Sequence, residues 1–221
     1  MCWWRKKKQD VDVKTEAGMR IIVISDRVKL AFSKALLANE IGGHMSLIYR
    51  FSDADGIHSG KSGYSFGISQ FDINNNPAAV LALREMNFTT DEIAALKAQT
   101  ADMDKMNAKL LYHKDVVDRW DRKQLVECLE WPLLLCHEIN VLFSGEETLV
   151  HIADYHNQFY MSRGGKMYRW LKSVDDLITP EMVRDFKYTL PWGIKQQARP
   201  RDKDDVWRRY YNIVKIMRED I

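Results

Sequence analysis

The sequence predicts an α+β fold that is predominantly helical, and three observations carry the prediction. Residues 45–51 and 64–71 alternate apolar and polar positions on either side of a stretch rich in glycine and serine, the pattern of one antiparallel hairpin. Ahead of it, Val28, Phe32, Leu36 and Glu40 recur every four residues, which places them in one row on one face of a helix. Beyond Pro77 the periodicity is helical almost to the last residue. A lone hairpin is not stable in water, so it must pack on the helices. Strands followed by a run of helices define α+β and not an alternating α/β chain. A small hairpin lobe, about 44–75, packed on a larger helical lobe, about 76–221, leaves a cleft between the two, the natural seat of a ligand.

Residues 1–18 are polar and mixed in charge and read as a flexible arm outside a single domain of 19–221. The arm's Trp3-Trp4 pair, beside Arg5 and three lysines, suits a membrane surface or a partner as an alternative to a mobile tail. Met19 to Ile24 reads as a short strand or as the lead-in to the first helix, with Ser25 or Asp26 as its N-cap. That helix ends at Glu40, because Gly42-Gly43 allows the left-handed turn that stops it. Met45, Leu47, Tyr49 and Phe51 then predict a strand. Residues 52–63, with three glycines, three serines and two aspartates, predict the hairpin tip, and 64–71 the returning strand. Asn76 is the expected N-cap of the next helix, with Pro77 in its first turn. Helices are expected at 77–86, 90–98, 101–111, 114–144 with a break at Pro132, 146–162, 165–172, 180–188 and 204–218. Thr90-Asp91-Glu92 and Thr179-Pro180-Glu181 are helix openings, and 196–205 is a polar linker.

Composition narrows the function classes. Of 221 residues 46% are hydrophobic, enough for a sizeable core. The 33 basic and 31 acidic residues leave a net charge of +2, which argues against a dedicated nucleic-acid binder. Three cysteines, Cys2, Cys128 and Cys136, are too few for a disulfide framework and read as thiols folded under reducing conditions. No apolar run is long enough to span a membrane, and the basic start lacks the apolar core of a secretory signal. Synthesis in the cytoplasm without a signal peptide and no stable membrane insertion are expected. No metal or cofactor is expected either. The glycine of Asp53-Ala54-Asp55-Gly56 comes too soon for an EF-hand. His151 and His156 are five apart, not four, and His137-Glu138 lacks a second histidine at zinc spacing. In the C-terminal run, Val206, Tyr210, Ile213, Val214 and Met217 form a buried stripe that leaves the arginines on the outer side.

The chemistry concentrates on Glu40. It extends an apolar row at the C-terminal end of a helix. Apolar neighbours disfavour a charged carboxyl, and the partial negative charge of a helix end pushes the same way. Glu40 is therefore the candidate for an acid that keeps its proton, as a glycosidase needs for protonating a leaving oxygen. Asp53, Asp55 and Asp72 are the candidates for a second carboxylate, with turn formation as the competing role for each and capping the better account of Asp72.

A glutamate at a helix end, followed by a Gly/Ser-rich hairpin with Gly63-Tyr64-Ser65-Phe66-Gly67-Ile68-Ser69-Gln70, resembles the lysozyme-like superfamily of phage endolysins, lytic transglycosylases and chitosanases. The resemblance covers about 25–75. Gly67-Ile68-Ser69-Gln70 is similar to the Gly-x-x-Gln element of lytic transglycosylases, and Ser65 takes the position of a threonine before glycine in phage lysozymes. Asp55-Gly56 resembles the hairpin Asp-Gly of chitosanases. His151 to Gln158 matches the later cleft-lining helix, although His156 separates Tyr155 from Asn157 where the family has a Tyr-Asn pair. The resemblance implies a muramidase that cleaves the β-1,4 bond between N-acetylmuramic acid and N-acetylglucosamine. Glu40 would be its general acid, Asp55 or Ser65 would act at the opposite face, and Tyr64, Gln70, Asp53, Tyr155 and Asn157 would hold the glycan. Intramolecular attack, as in a lytic transglycosylase, is the mechanism if Glu40 alone is essential. A chitosanase-like hydrolase and a non-catalytic module of a phage tail or secreted toxin are the alternatives. Such a protein acts on peptidoglycan in the periplasm after holin- or secretion-dependent delivery, with an inhibitor protein or the delivery apparatus as a further partner.

Overall fold

The computed structural model describes residues 24–53 and 62–219. The N-terminal arm, most of the expected strand at 19–24, the hairpin tip at 54–61 and Asp55 lie outside the described residues. Within them the fold is mostly helical with one small antiparallel sheet.

Helix α1 (Asp26–Glu40) opens where local chemistry predicts, with Ser25 Oγ accepting from Val28 N at 3.2 Å. It closes at Gly42 and Gly43, whose φ of 60° and 80° favour glycine, and Gly43 N returns to Leu37 O at 2.9 Å. The expected strand at 45–51 is not formed. A 3-10 turn (Met45–Leu47) takes its place, and the buried residues are Ile48 and Phe51, spaced by three, while Met45 is 60% exposed. Burial here follows a period of three and not two, and the chain turns accordingly.

Strand pairing begins only at β1 (Ser52–Asp53), which lies antiparallel to β2 (Tyr64–Phe66) with Ser52 opposite Ser65. The expected long return strand is a second hairpin. Strand β2 turns over 67–70 into β3 (Phe71–Asp72), with Phe66 opposite Phe71. The cause lies outside the segment. Asp121 accepts from Ile68 N at 2.9 Å and from Ser69 N at 3.0 Å, and so gathers the turn. Gly67 has φ 76°, and a Cβ there would stand 2.8 Å from Asp121 Oδ1. Both conditions call for glycine. Burial is the largest influence on the Asp121 carboxyl, only partly offset by those two N–H groups, and pushes it up to about 6.

The helices follow in order: α2 (Pro77–Glu85), α3 (Thr90–Lys97), α4 (Met103–Tyr112), α5 (Lys114–Glu138), α6 (Glu146–Phe159), α7 (Lys166–Lys172), α8 (Pro180–Thr189), α9 (Pro191–Gln197) and α10 (Asp205–Arg218). Asn76 caps α2 and Thr179 caps α8, as expected. Helix α3 is capped by Thr89, one residue before the expected opening, in a capping box with Glu92. Helix α5 runs through Pro132 without the expected break and ends at Glu138. A proline inside a helix costs about 3 kcal/mol. The burial of Cys128, Leu129, Leu135 and Cys136 around it offsets that cost. Helix α9 was not anticipated. It packs so closely on α8 that a Cβ at Gly193 would lie 1.9 Å from Lys187 O.

Three apolar clusters hold the molecule together. Tyr64, Phe66 and Phe71 of the sheet, with Phe51 just ahead of it, join Leu83, Leu96 and Leu110 of α2 to α4, so these three helices share a core with the hairpin. Phe32 and Leu36 of α1 pack with Leu129, Leu149 and Ile213. Leu135, Ile152, Met167 and Phe186 join α5 to α8. Helix α6 runs through the middle, and every residue from 148 to 156 is buried. Among the described residues no helix is long and apolar enough to cross a membrane.

Candidate functional site

A cleft of about 680 Å³ separates the hairpin side of the molecule from the end of α6. Gln70, Asp72 and Asn75 form one wall, Trp120, Gln124 and Glu127 of α5 the floor, and His156, Asn157 and Tyr160 the other wall. The size suits a small organic ligand, and the lining mixes amides with aromatic rings.

Behind the α6 wall lies a charged centre that follows from how deeply α6 is buried. Asp154 is wholly inaccessible (0%) and must be paired. Lys187 Nζ donates to its Oδ2 at 2.6 Å, and Arg209 reaches both oxygens, at 2.9 and 3.2 Å. Burial opposes the charge on Asp154, but Arg209 and Lys187 outweigh it and hold the carboxyl well below the usual carboxylate range. Burial lowers Lys187, with partial compensation from Asp154. On Arg209 burial is outweighed by Asp154 and Glu40, which raise it. Asn39 ties α1 into the same centre, donating to Asp154 Oδ1 at 3.1 Å and accepting from Asn212 at 2.9 Å.

Glu40 and Lys187 join this centre to the cleft wall, Glu40 through Asn157 and Lys187 through Gln158 at 3.2 Å, while neither lines the cleft itself. Glu40 Oε1 accepts from Arg209 Nη2 at 2.5 Å and from Asn157 Nδ2 at 3.0 Å. No hydrogen-bond partner for Oε2 is found among the described residues, and the side chain is 18% exposed. The apolar neighbourhood read from the helical row is thus corrected: on its polar edge Glu40 meets a guanidinium and a carboxamide. The pair is two carboxylates, Glu40 and Asp154, against two cations, Lys187 and Arg209, with no net charge left in the interior. Arg208, beside Arg209, donates to the last carbonyls of α1, Ala38 O at 3.2 Å and Asn39 O at 3.0 Å, where a cation complements the helix end.

The other expected site residues divide sharply. Asn157 meets Glu40 and lines the cleft. Gln70 also lines it, but its amide is occupied locally, donating to Gly67 O at 3.0 Å and accepting from Ser52 Oγ at 2.7 Å. Tyr64, Ser65 and Tyr155 are buried and away from the cleft. Tyr64 packs on Phe51, Ser65 sits in the central strand, and Tyr155 lies between Phe159 and Phe186. Their side chains serve the core and do not line the cleft. Asp53 pairs with Tyr64 in the sheet and does not line the cleft. Asp72 serves the turn after β3, the competing role the sequence offers, and caps no helix: it accepts from Gly63, Asn74 and Asn75 N–H groups. Burial opposes its charge, but these bonds and the Asn75 side chain outweigh that and lower it. Burial raises the buried thiols Cys128 and Cys136 to about 12, as for inert core cysteines. Among the described residues no group of three or more His, Cys, Asp or Glu side chains is placed to hold a metal ion.

Asp154, Lys187 and Arg209 escaped the sequence reading. The signal for Asp154 was present, since a carboxyl inside Leu149-Val150-His151-Ile152-Ala153-Asp154-Tyr155 needs a buried cation. Arg209 was placed on the outer side of α10 and is instead 3% exposed, in a row with Val206, Ile213 and Ile216. Its charge is tolerated there because Asp154 and Glu40 await it from α6 and α1.

Fold and site together define a mostly helical α+β protein with a polar and aromatic cleft, one wall of which is braced by a buried cluster of four charges. Comparison with protein-family models, with curated proteins and with solved structures finds no match.

Proposed function

We propose that this chain is a lysozyme-like glycoside hydrolase that cleaves the β-1,4 bond of peptidoglycan strands, with Glu40 as its acid. The observation that carries the reading is the one-sided grip on Glu40. Arg209 and Asn157 hold Oε1, which fixes the carboxyl, and leave Oε2 without a hydrogen-bond partner among the described residues; Glu40 does not itself line the cleft and is joined to it through Asn157, which does. A catalytic acid needs that arrangement, one oxygen positioned and the other free to meet the leaving oxygen. In that role the proton passes to the leaving oxygen from Oε2, the oxygen without a hydrogen-bond partner among the described residues. Delivery to the cell wall by a holin or a secretion apparatus completes the proposal.

Cleavage by Glu40 alone, with intramolecular attack giving an anhydro-sugar, is the second reading. Among the described candidates, the burial of Ser65 and the hydrogen bonds that engage both oxygens of Asp72 favour it, because neither is free to activate a water; Asp55 lies outside the described residues.

Purified cell wall tests both. The protein should clear a turbid suspension, and Glu40→Gln should abolish clearing. That variant takes one of two carboxylates from a buried guanidinium and should also lose about 2 kcal/mol of stability, discounted for the partial exposure of Glu40. Clearing retained by Glu40→Gln removes Glu40 from the mechanism. Binding without clearing by the unaltered protein makes it a non-catalytic module. Mass spectrometry of the products separates a reducing end from an anhydro end.

A further inference from the structure

Just past the end of α6 the backbone is strained. Tyr160 has φ 53° and ψ 101°, a conformation that bulky residues rarely adopt and glycine adopts freely. Hydrogen bonds over-determine it. Tyr160 N donates to His156 O at 2.9 Å, Met161 N donates to His156 Nδ1 at 3.1 Å, and Trp131 Nε1 donates to Met161 O at 2.8 Å. Met161 is buried by this clamp, whereas Tyr160 is 62% exposed and lines the cleft. Apart from one ring contact, with His156, the exposed Tyr160 side chain makes no aromatic or hydrogen-bond contact among the described residues, at a position that suits glycine. Strain retained in this way points to a task.

His156 lines the same cleft and is itself 4% exposed, its ring 5.1 Å from that of Tyr160. Because Nδ1 accepts the Met161 N–H, the neutral ring carries its proton on Nε2. No partner for Nε2 is found among the described residues. Burial pushes His156 down to about 4, so at neutral pH this wall offers a donor without a charge.

We propose that Tyr160 and His156 form a sugar-binding subsite, in which the Tyr160 ring takes the apolar face of a pyranose and His156 Nε2–H donates to one of its oxygens. The assignment rests on the glycan-cleaving reading and specifies where the chain grips its substrate. An aromatic face beside a fixed uncharged donor matches a ligand that has C–H faces and hydroxyls; Asn157 and Gln158 on the same wall are held by Glu40 and by Lys187 and give the subsite its border.

The test uses the full chain, a tetramer of N-acetylglucosamine as the probe, calorimetric titration, and clearing of cell wall. Tyr160→Gly should weaken tetramer binding about tenfold and raise KM for clearing while kcat holds. The same variant should raise Tm by about 2 °C, because the strain is gone. Tyr160→Phe keeps the ring and should bind within about threefold of the unaltered protein. In nitrogen-resolved NMR at pH 6, His156 should show the neutral Nε2–H tautomer, with a resonance that shifts as tetramer is added. Clearing and binding unchanged in Tyr160→Gly overturn the subsite and leave the enzyme reading intact. A static or charged His156 removes the donor and with it the subsite. If the unaltered protein neither clears cell wall nor binds tetramer, the reading and the subsite fall together.

Discussion

Replacing Asp154 with asparagine should cost the fold about 4 kcal/mol, and the structure shows where that figure comes from. Asp154 faces donors only: Asn39 and Arg209 on Oδ1, Lys187 and Arg209 on Oδ2. The asparagine amide would turn an N–H group toward one of these donor pairs. It would also leave Lys187 and Arg209 buried with Glu40 as the one carboxylate in direct contact among the described residues, a net positive charge in the interior. Breaking a buried pair from one side costs about 3–5 kcal/mol. In a chain of this size each kcal/mol moves Tm by about 2–4 °C, so Tm should fall by roughly 8–16 °C. Circular dichroism melts check this directly. The double variant Asp154→Asn/Lys187→Met removes one charge of each sign, restores neutrality and should recover part of the loss. The acid limb supplies a second check. The Asp154 carboxyl is depressed in the folded state, so its stabilisation is complete above the usual carboxylate range and is lost as pH falls through its lowered folded value. The single variant should lack that part of the acid-induced loss. A fall in Tm below about 2 °C, or a double variant worse than the single one, would refute the account of a charge-balanced centre.

Two further predictions concern the turn between β2 and β3. The Asp121 carboxyl, raised from 3.8 to about 6, stabilises the fold most below its unfolded value, and that contribution is lost as pH rises through about 6. Between pH 4 and pH 7 the unaltered protein should therefore lose up to about 3 kcal/mol relative to Asp121→Asn, measured by urea unfolding at both pH values; parallel pH dependence in the two proteins would dismiss the effect. Gly67→Ala meets both a φ of 76° and the Asp121 oxygen 2.8 Å from the new Cβ, and should destabilise by about 2 kcal/mol. An unchanged urea midpoint would show that the turn yields freely.

What could be read locally held. Ser25, Asn76 and Thr179 cap the helices they were expected to cap, since a cap is a hydrogen bond between a side chain and a backbone only two or three residues on. The mostly helical α+β class was legible for the same reason, because periodicity reports which face of a segment is apolar. The misread segments are those governed from a distance. Residues 45–51 alternate like a strand but fold into a 3-10 turn that buries Ile48 and Phe51. Residues 64–71 alternate too, and Asp121, from a helix fifty-odd positions on, turns them back at Gly67.

By itself, then, the sequence determined most of the helices, three of their caps, the presence of a small antiparallel sheet beside them and the choice of Glu40 as a residue to watch. Tertiary structure alone decided what Glu40 is: a carboxylate gripped through one oxygen by Asn157, 117 positions away, and by Arg209, 169 positions away. The physical reason is reach. Backbone preference and hydrophobic period act over a few residues, whereas the state of a buried charge depends on whichever opposite charge the folded chain brings within hydrogen-bonding distance, and neither period nor composition records that encounter.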